Sequence, residues 1–265
     1  VTRGQLASFV VRAENAVQNN ETTVVGTIEQ IADKKIMING KQYNIDKKVD
    51  FLFNSENYEA LYNADVAFTT KNNVIISVSS LNLKNGSYFD GNNAEISSLK
   101  LASSIKALKN VKADTVHYIV NGQTKIESVT AKKVVAQGDK SPVASLEDVT
   151  LPTIDLIING SNIETVKLEG TVVSVKKTAS IISKFEAENV STLQMYGDFE
   201  QVLVTTSTKL LGSAIINSLQ FSDTNIQGFS PSSSVKINNV VLNGETLSWQ
   251  EAERLINPDE NNNVG

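Results

Sequence analysis

Carboxylates are the only side chains in this chain that could form a catalytic centre. The sequence has no cysteine and a single histidine, His117, so thiolate nucleophiles are excluded and Ser-His-Asp triads and His-based metal sites are disfavoured. Paired carboxyl groups can cleave glycans when they lie about 5–10 Å apart. The candidates share no obvious register, and we therefore predict no catalytic residue among Asp148, Asp155, Glu164, Glu169 and Asp198.

A dedicated metal site is not expected either. A calcium loop of the D-x-D-x-D-G type places several oxygen ligands in one short segment. The nearest match, Asp90-Gly91-Asn92-Asn93, has one carboxylate. We predict no cofactor and no metal-binding residue, with any Ca²⁺ held only by surface carboxylates.

The remaining polar and aromatic residues have ordinary structural interpretations. His117 lies between Val116 and Tyr118 and is predicted to face outward from a strand. Tyr58 and Tyr62 could stack on sugar rings, as could Trp249, but the two tyrosines equally fit a helical core pair.

The amino-acid composition limits the kinds of partner that this protein is expected to bind. The net charge is −5 and only Arg3, Arg12 and Arg254 are arginines, which argues against nucleic acid as the main ligand. No stretch of 18 apolar residues is present, so we predict no membrane-spanning helix.

Short strands must position these side chains. Asn-Gly, the strongest short hairpin signal, occurs at Asn39, Asn85, Asn121, Asn159 and Asn243. Apolar alternation around Asn39 predicts a hairpin, and further strands at 23–31, 51–53, 65–70 and 74–81 extend it to five or six. A helical turn is expected at 56–62. We interpret residues 20–88 as a small β-barrel or meander module.

Residues 89–246 contain an internal repeat. Ile163, Val166 and Leu168 match Val190, Leu193 and Met195 at an offset of 27 residues, with Gly170 matching Gly197. Weaker copies begin at Ile96, Ile126, Leu146, Ile216 and Ile237. A period of about 20–30 residues built from β-prone runs is typical of a parallel β-solenoid.

Stacking explains why such a repeat would fold. Three buried apolar side chains contribute about 5–9 kcal/mol, whereas ordering some twenty residues costs more, at about 1–2 kcal/mol each. A turn is therefore stable only on its neighbours. An antiparallel β-sandwich remains the alternative, and Leu101, Ile105 and Leu108 could also form a short helix.

The two ends of the chain are predicted to be helical. Residues 247–265 contain a C-terminal helix up to Pro258 and a polar tail. Residues 1–19 contain an amphipathic helix and a linker, because Thr2 and Gln5 have capping-box spacing and apolar residues follow at helical period: Leu6, Phe9, Val10, Ala13, Ala16 and Val17.

The amino-acid sequence of that first helix is distinctive. Val1-Thr-Arg-Gly-Gln-Leu-Ala-Ser-Phe-Val-Val-Arg-Ala13 resembles the end of an S-layer homology (SLH) motif, whose pattern is roughly [IV]-T-R-[AG]-[EQ]-[FL]-A-x-[FL]-[VI]-x-R-A. The resemblance covers about the last quarter of one motif. Residues 146–160 also resemble β-helix segments of SLH-anchored surface proteins.

The resemblance carries functional expectations. SLH modules bind secondary cell-wall polysaccharide, and Thr2 and Arg3 match positions that face it, where an arginine would pair with an acidic ketal. It implies an extracellular protein of the cell wall or S-layer of a Gram-positive bacterium, with the rest of the anchor preceding Val1. Neighbouring surface-protein subunits are further expected partners.

Three functions follow. The first is a non-catalytic structural or S-layer-associated surface protein. The second is a wall-anchored polysaccharide lyase or hydrolase on a β-helix, which predicts acidic and basic residues converging in a groove. The third is a carbohydrate- or host-binding adhesin, which predicts an exposed aromatic platform.

Overall fold

A small barrel leads into a parallel β-solenoid, and a hairpin and helix follow it. The computed structural model describes residues 21–139, 153–222 and 228–256. It confirms the mainly β prediction, with a solenoid of about eight turns. The alternative of an antiparallel sandwich is wrong, because successive turns pair in parallel.

The barrel contains five strands whose pairings close into a ring. β1 pairs with β2 and with β4, β2 pairs with β3, and β4 pairs with β5, all antiparallel; a parallel pairing of β3 with β5 completes the ring. This order, with a helical connection between β3 and β4, is that of an OB-type barrel. The strands are β1 (Thr22–Ala32), β2 (Lys35–Ile38), β3 (Lys41–Ile45), β4 (Asp65–Lys71) and β5 (Val74–Leu83).

The hairpin at Asn39 and the helical turn are confirmed, but one predicted strand is wrong. Asn39 and Gly40 both have positive φ between β2 and β3. Residues 51–53 belong to a 3₁₀ turn, Asp50–Phe53, because the consecutive Leu52 and Phe53 are both buried and alternation along a strand would expose one of them. A second 3₁₀ turn, Ser55–Asn57, leads into α1, Tyr58–Leu61.

The solenoid turns consist of paired short strands or one long bent strand. Leu101 ends β6 and Leu108 lies in β7, so the alternative of a helix over 101–108 is wrong. The strands are β6 (Tyr88–Leu101), β7 (Ala107–Val120), β8 (Gly122–Glu127), β9 (Thr130–Gly138), β10 (Thr153–Asn159), β11 (Asn162–Glu169), β12 (Val172–Thr178), β13 (Ile181–Glu188), β14 (Thr192–Val204), β15 (Lys209–Phe221), β16 (Ser230–Pro231) and β17 (Val235–Leu242).

One column of apolar side chains runs through the whole solenoid. Each member pairs in parallel register with the next, from the barrel strand β5 to β17. All are essentially inaccessible to solvent, and burial of each contributes about 1.5–3 kcal/mol. The column is Leu81, Leu99, Val116, Val134, Val166, Phe185, Val202, Leu219 and Val240.

The predicted repeat is present, but the predicted alignment of one turn with the next is shifted. Ile163 pairs with Ile182, whereas Val190 lies between β13 and β14. The 27-residue match is therefore wrong. It arose because buried residues at corners and on strands are equally apolar. The predicted starts at Ile96, Ile216 and Ile237 do occupy the column of Ile163, while Ile126 lies on the other strand set and Leu146 lies outside the described residues.

Corners of the middle turns use left-handed backbone. Asn110, Ser128, Gly160 and Ala179 all have φ between +46° and +57° and follow residues that pair across adjacent turns. Such φ values are easy for glycine, tolerated by asparagine and strained for alanine. Beside this corner, Ser161 and Ser180 are buried and hydrogen-bonded: Ser161 N donates to Ser180 Oγ at 3.1 Å.

The last turn is covered by a hairpin and a helix. β17 turns at Asn243-Gly244 into β18 (Glu245–Leu247), and α2 (Trp249–Ile256) follows. Ser248 caps α2 by exchanging hydrogen bonds with Glu251. The predicted C-terminal helix is thus confirmed, and Trp249 packs edge-on against Phe229 at 5.6 Å between ring centroids.

Candidate functional site

A surface that runs along the solenoid axis, between two columns of outward side chains, contains two depressions. In each turn it is formed by a triplet whose central residue faces inward, and the triplets stack in register. We call this surface the axial trough. Its triplets are residues 95–97, 112–114, 130–132, 162–164, 181–183, 198–200, 215–217 and 236–238.

The N-terminal section of the axial trough carries alternating charges. It has a volume of about 480 Å³ and its charged lining residues are Glu95, Lys112, Asp114, Lys132 and Glu164. Each lysine pairs with the acid of the preceding turn, at 3.5 Å for Lys112–Glu95 and 2.7 Å for Lys132–Asp114. Ala113 and Ala131 lie at the centre of their triplets and line the floor of this section.

Ion pairing changes the pKa of one side chain in this section. The hydrogen bond to Asp114 raises the pKa of Lys132, the charge of Asp114 adds to this, and Glu164 acts in the same direction. Lys132 is therefore a fixed cation between Asp114 and Glu164. Asp114 and Glu164 lie two turns apart, which corresponds to about 10 Å between their backbones.

The C-terminal section is lined by acids and amides. Its volume is about 410 Å³ and its lining includes Asp198, Glu200 and Asn217. Asn217 Nδ2 donates to Glu200 Oε2 at 2.8 Å, and Asn238 Nδ2 donates to Asn217 Oδ1 at 2.8 Å. A hydrogen-bonded ladder therefore crosses three turns along one wall of the trough.

Two of the five carboxylates considered from sequence face the axial trough. Glu164 lines its N-terminal section and Asp198 its C-terminal section. Asp155 instead accepts from Gln123 at 3.2 Å, and Glu169 pairs with Lys167 at 2.8 Å. Asp148, Thr2 and Arg3 lie outside the described residues.

Glu95, Asp114 and Glu200 were missed as trough residues. The sequence signal that could have found them is a recurring triplet, a small or apolar residue between two mostly polar ones, placed three residues ahead of the next buried position. Lys112-Ala113-Asp114 and Asn162-Ile163-Glu164 have this form. One triplet alone is indistinguishable from any half-buried strand, so the signal exists only in the stack.

The residues considered from sequence for metal or sugar binding are placed as follows. Within the three described ranges, no group of three or more His, Asp or Glu residues could hold a metal ion. The Asp90 carboxylate accepts from Tyr88 Oη at 3.0 Å, from Asn92 N at 2.8 Å and from Asn110 Nδ2 at 3.0 Å. Trp249 packs in the end cap, and His117 is exposed on β7.

No helix in the described part of the chain is both long enough and apolar enough to cross a membrane.

Comparisons with known proteins identify no relatives. No protein-family model, curated protein or solved structure matches the chain.

Proposed function

We propose that this protein is a non-catalytic structural component of a bacterial cell surface, of the S-layer-associated type. The observation that carries the proposal is the resemblance of residues 1–13 to the end of an SLH motif. An anchor of that kind would hold the chain on secondary cell-wall polysaccharide and place the rest of it outside the cell.

The solenoid supports a mechanical role. About eight turns at about 4.7–4.9 Å each give roughly 40 Å of stacked sheet with one continuous core. The barrel occupies one end, and β18 and α2 cover the other. Covering the end turns protects a parallel solenoid from edge-to-edge association, so the rod is suited to remain a separate unit and to pack through its sides.

Localisation tests this proposal directly. Antibodies against the purified chain are applied to intact cells of the source bacterium and to cell fractions. We expect labelling of intact cells, and release of the protein when the secondary wall polysaccharide is extracted. Signal confined to the cytoplasmic fraction of lysed cells would contradict the proposal.

Polysaccharide cleavage is a second candidate, favoured by one observation. Asp114, Lys132 and Glu164 line the same section of the axial trough, which is the kind of convergence that a lyase or hydrolase requires. Asp114 is ion-paired with Lys132 at 2.7 Å. Release of reducing ends from wall and plant polysaccharides would support the enzyme, provided that Asp114→Asn and Glu164→Gln abolish it; a rate equal to the buffer blank would exclude it for those substrates.

A further inference from the structure

Charged residues of the axial trough contribute little to the fold. In the pair Lys112–Glu95 the side chains are 54% and 82% exposed, and in Lys132–Asp114 they are 68% and 53% exposed. Exposed ion pairs contribute about 0–1 kcal/mol to stability. The trough therefore concentrates charged groups that the solenoid does not need for its own stability.

Apolar surface lies between these polar groups. Ile181 is 69% exposed and Ile215 is 41% exposed. Both belong to the wall column that also contains Asn162, Asp198 and Lys236. A ligand that fills the trough meets C–H surface and hydrogen-bonding groups in alternation. Pyranose rings have this character, with apolar ring faces and hydroxyl edges.

The direction of the trough favours a polymer. It crosses the strands, so a ligand along it meets a new triplet at each step of about 4.7–4.9 Å. An extended pyranose chain advances by nearly the same length per sugar. Each sugar would therefore face an equivalent triplet, and binding would accumulate over several weak contacts.

Charge selects among glycans. Five carboxylates and four lysines line the axial trough: Glu95, Asp114, Glu164, Asp198 and Glu200 against Lys112, Lys132, Lys177 and Lys236. This net negative lining repels phosphate and uronate groups and attracts amines. We infer that the axial trough binds one extended glycan chain of neutral or amine-bearing sugars, parallel to the solenoid axis. This site is separate from the proposed SLH anchor, which would bind an acidic polymer.

Calorimetric titration of the full chain with three hexasaccharides tests the inference. The probes are glucosamine hexamer, N-acetylglucosamine hexamer and galacturonate hexamer, in low and moderate salt. We expect the glucosamine hexamer to bind most tightly and to weaken with salt, the N-acetylated hexamer to bind without salt dependence, and the galacturonate hexamer to bind at least tenfold more weakly than both.

Matched variants locate the site. Asp114→Asn with Glu164→Gln removes two trough carboxylates and should weaken glucosamine hexamer binding about tenfold. The control Glu127→Gln with Asp155→Asn changes the same charge away from the trough and should leave the affinity within about twofold. Ile181→Ala should weaken both amino-sugar hexamers. Absence of binding by both amino-sugar hexamers, preference for galacturonate, or equal effects of the two double variants would overturn the inference. None of these outcomes affects the localisation test of the anchor.

Discussion

Asn57 and Asp90 join the barrel to the first solenoid turn through two hydrogen bonds, and a third ties the same buried amide to Leu52. Asn57 Nδ2 donates to the Asp90 carbonyl at 2.7 Å and to the Leu52 carbonyl at 2.9 Å, and Asp90 N donates to Asn57 Oδ1 at 3.0 Å. Asn57 is completely buried. Its side chain therefore replaces the strand partner that this part of β6 lacks.

Replacing Asn57 should destabilise the junction. Asn57→Ala leaves the N–H and carbonyl of Asp90 and the carbonyl of Leu52 without that partner, and each unsatisfied buried group costs about 1–3 kcal/mol. We expect a loss of about 2–4 kcal/mol in the free energy of unfolding, measured by urea denaturation. Asn44→Ala, at an exposed position of β3, serves as the control and should change stability by less than about 0.5 kcal/mol. Equal effects of the two variants would show that the amide is not a connector.

Removing a strained backbone should stabilise the solenoid. Ala179 has φ of +46° at a corner, a conformation that costs an L-residue about 1–2 kcal/mol. Ala179→Gly should therefore raise the free energy of unfolding by up to about 1 kcal/mol after the added entropy of the unfolded chain. Ala107→Gly in strand β7 carries the same entropy change without strain to relieve, so it should lower stability by about 0.5–1 kcal/mol. A fall in stability with Ala179→Gly would contradict the assigned corner.

Two buried threonines should respond in opposite ways to loss of the hydroxyl. Thr124 is 1% exposed, and its Oγ1 has no hydrogen-bond partner among the described residues. Thr208 is completely buried, and its Oγ1 donates to the Val190 carbonyl at 2.7 Å. Burying a hydroxyl without a partner costs about 1–3 kcal/mol, so Thr124→Val should stabilise the protein by about 1 kcal/mol.

Thr208→Val is the matched comparison. It removes a hydroxyl that is hydrogen-bonded, which should destabilise by about 1 kcal/mol. Thermal and chemical unfolding of both variants measure the difference. If both changes lower stability equally, the prediction for Thr124 is wrong.

Acid should weaken the barrel through Asp65. A hydrogen bond from Lys84 Nζ, at 2.7 Å, is the largest cause that lowers the pKa of this carboxyl, and hydrogen bonds from Thr27 and Asn82 add to it. Because the pKa is lower in the folded state, the charged carboxylate stabilises the protein above the ordinary Asp pKa of about 4, and this stability is lost as the pH falls through the folded-state value.

Asp65→Asn tests that linkage. The variant should be less stable than the parent at pH 7, and the difference should shrink steadily as the pH falls below about 4. Glu21→Gln, at an exposed position before β1, should show no such convergence. A difference that stays constant from pH 7 to pH 2 would assign the effect of Asp65→Asn to packing rather than to charge.

Local signals in the sequence were sufficient for the class of fold. Asn39-Gly40 predicted its hairpin because a two-residue turn with positive φ has few alternatives. The β-prone runs indicated a solenoid because short strands at intervals of about 20 residues must stack to bury their apolar face. The choice between a closed barrel and an open meander was left open, since the parallel pairing of Asn44 with Val74 depends on contacts far apart in the chain.

Neither the alignment of the repeat nor the axial trough could be predicted without the register between turns. Val190 and Ile182 are both buried, one at a corner and one on a strand, so hydrophobicity alone could not decide which of them matches Ile163. The axial trough depends on the same register, because Asp114, Lys132 and Glu164 come together only when β7, β9 and β11 are stacked. A search for carboxylates close together in sequence therefore could not find it.

Strand β5 gives the solenoid a starting edge. One edge of β5 pairs with the barrel strand β4 from Val74 to Asn82. The other edge pairs with β3 at its first two residues and with β6 at its last four, Ser80 to Leu83. Parallel pairing between distant strands is slow, because a long loop must close before any contact rewards it. Here the first loop closes onto a strand that the barrel already holds in place. On a chain that emerges N-terminus first, the turns can then add in order, one rung at a time, without waiting for the C-terminal cap.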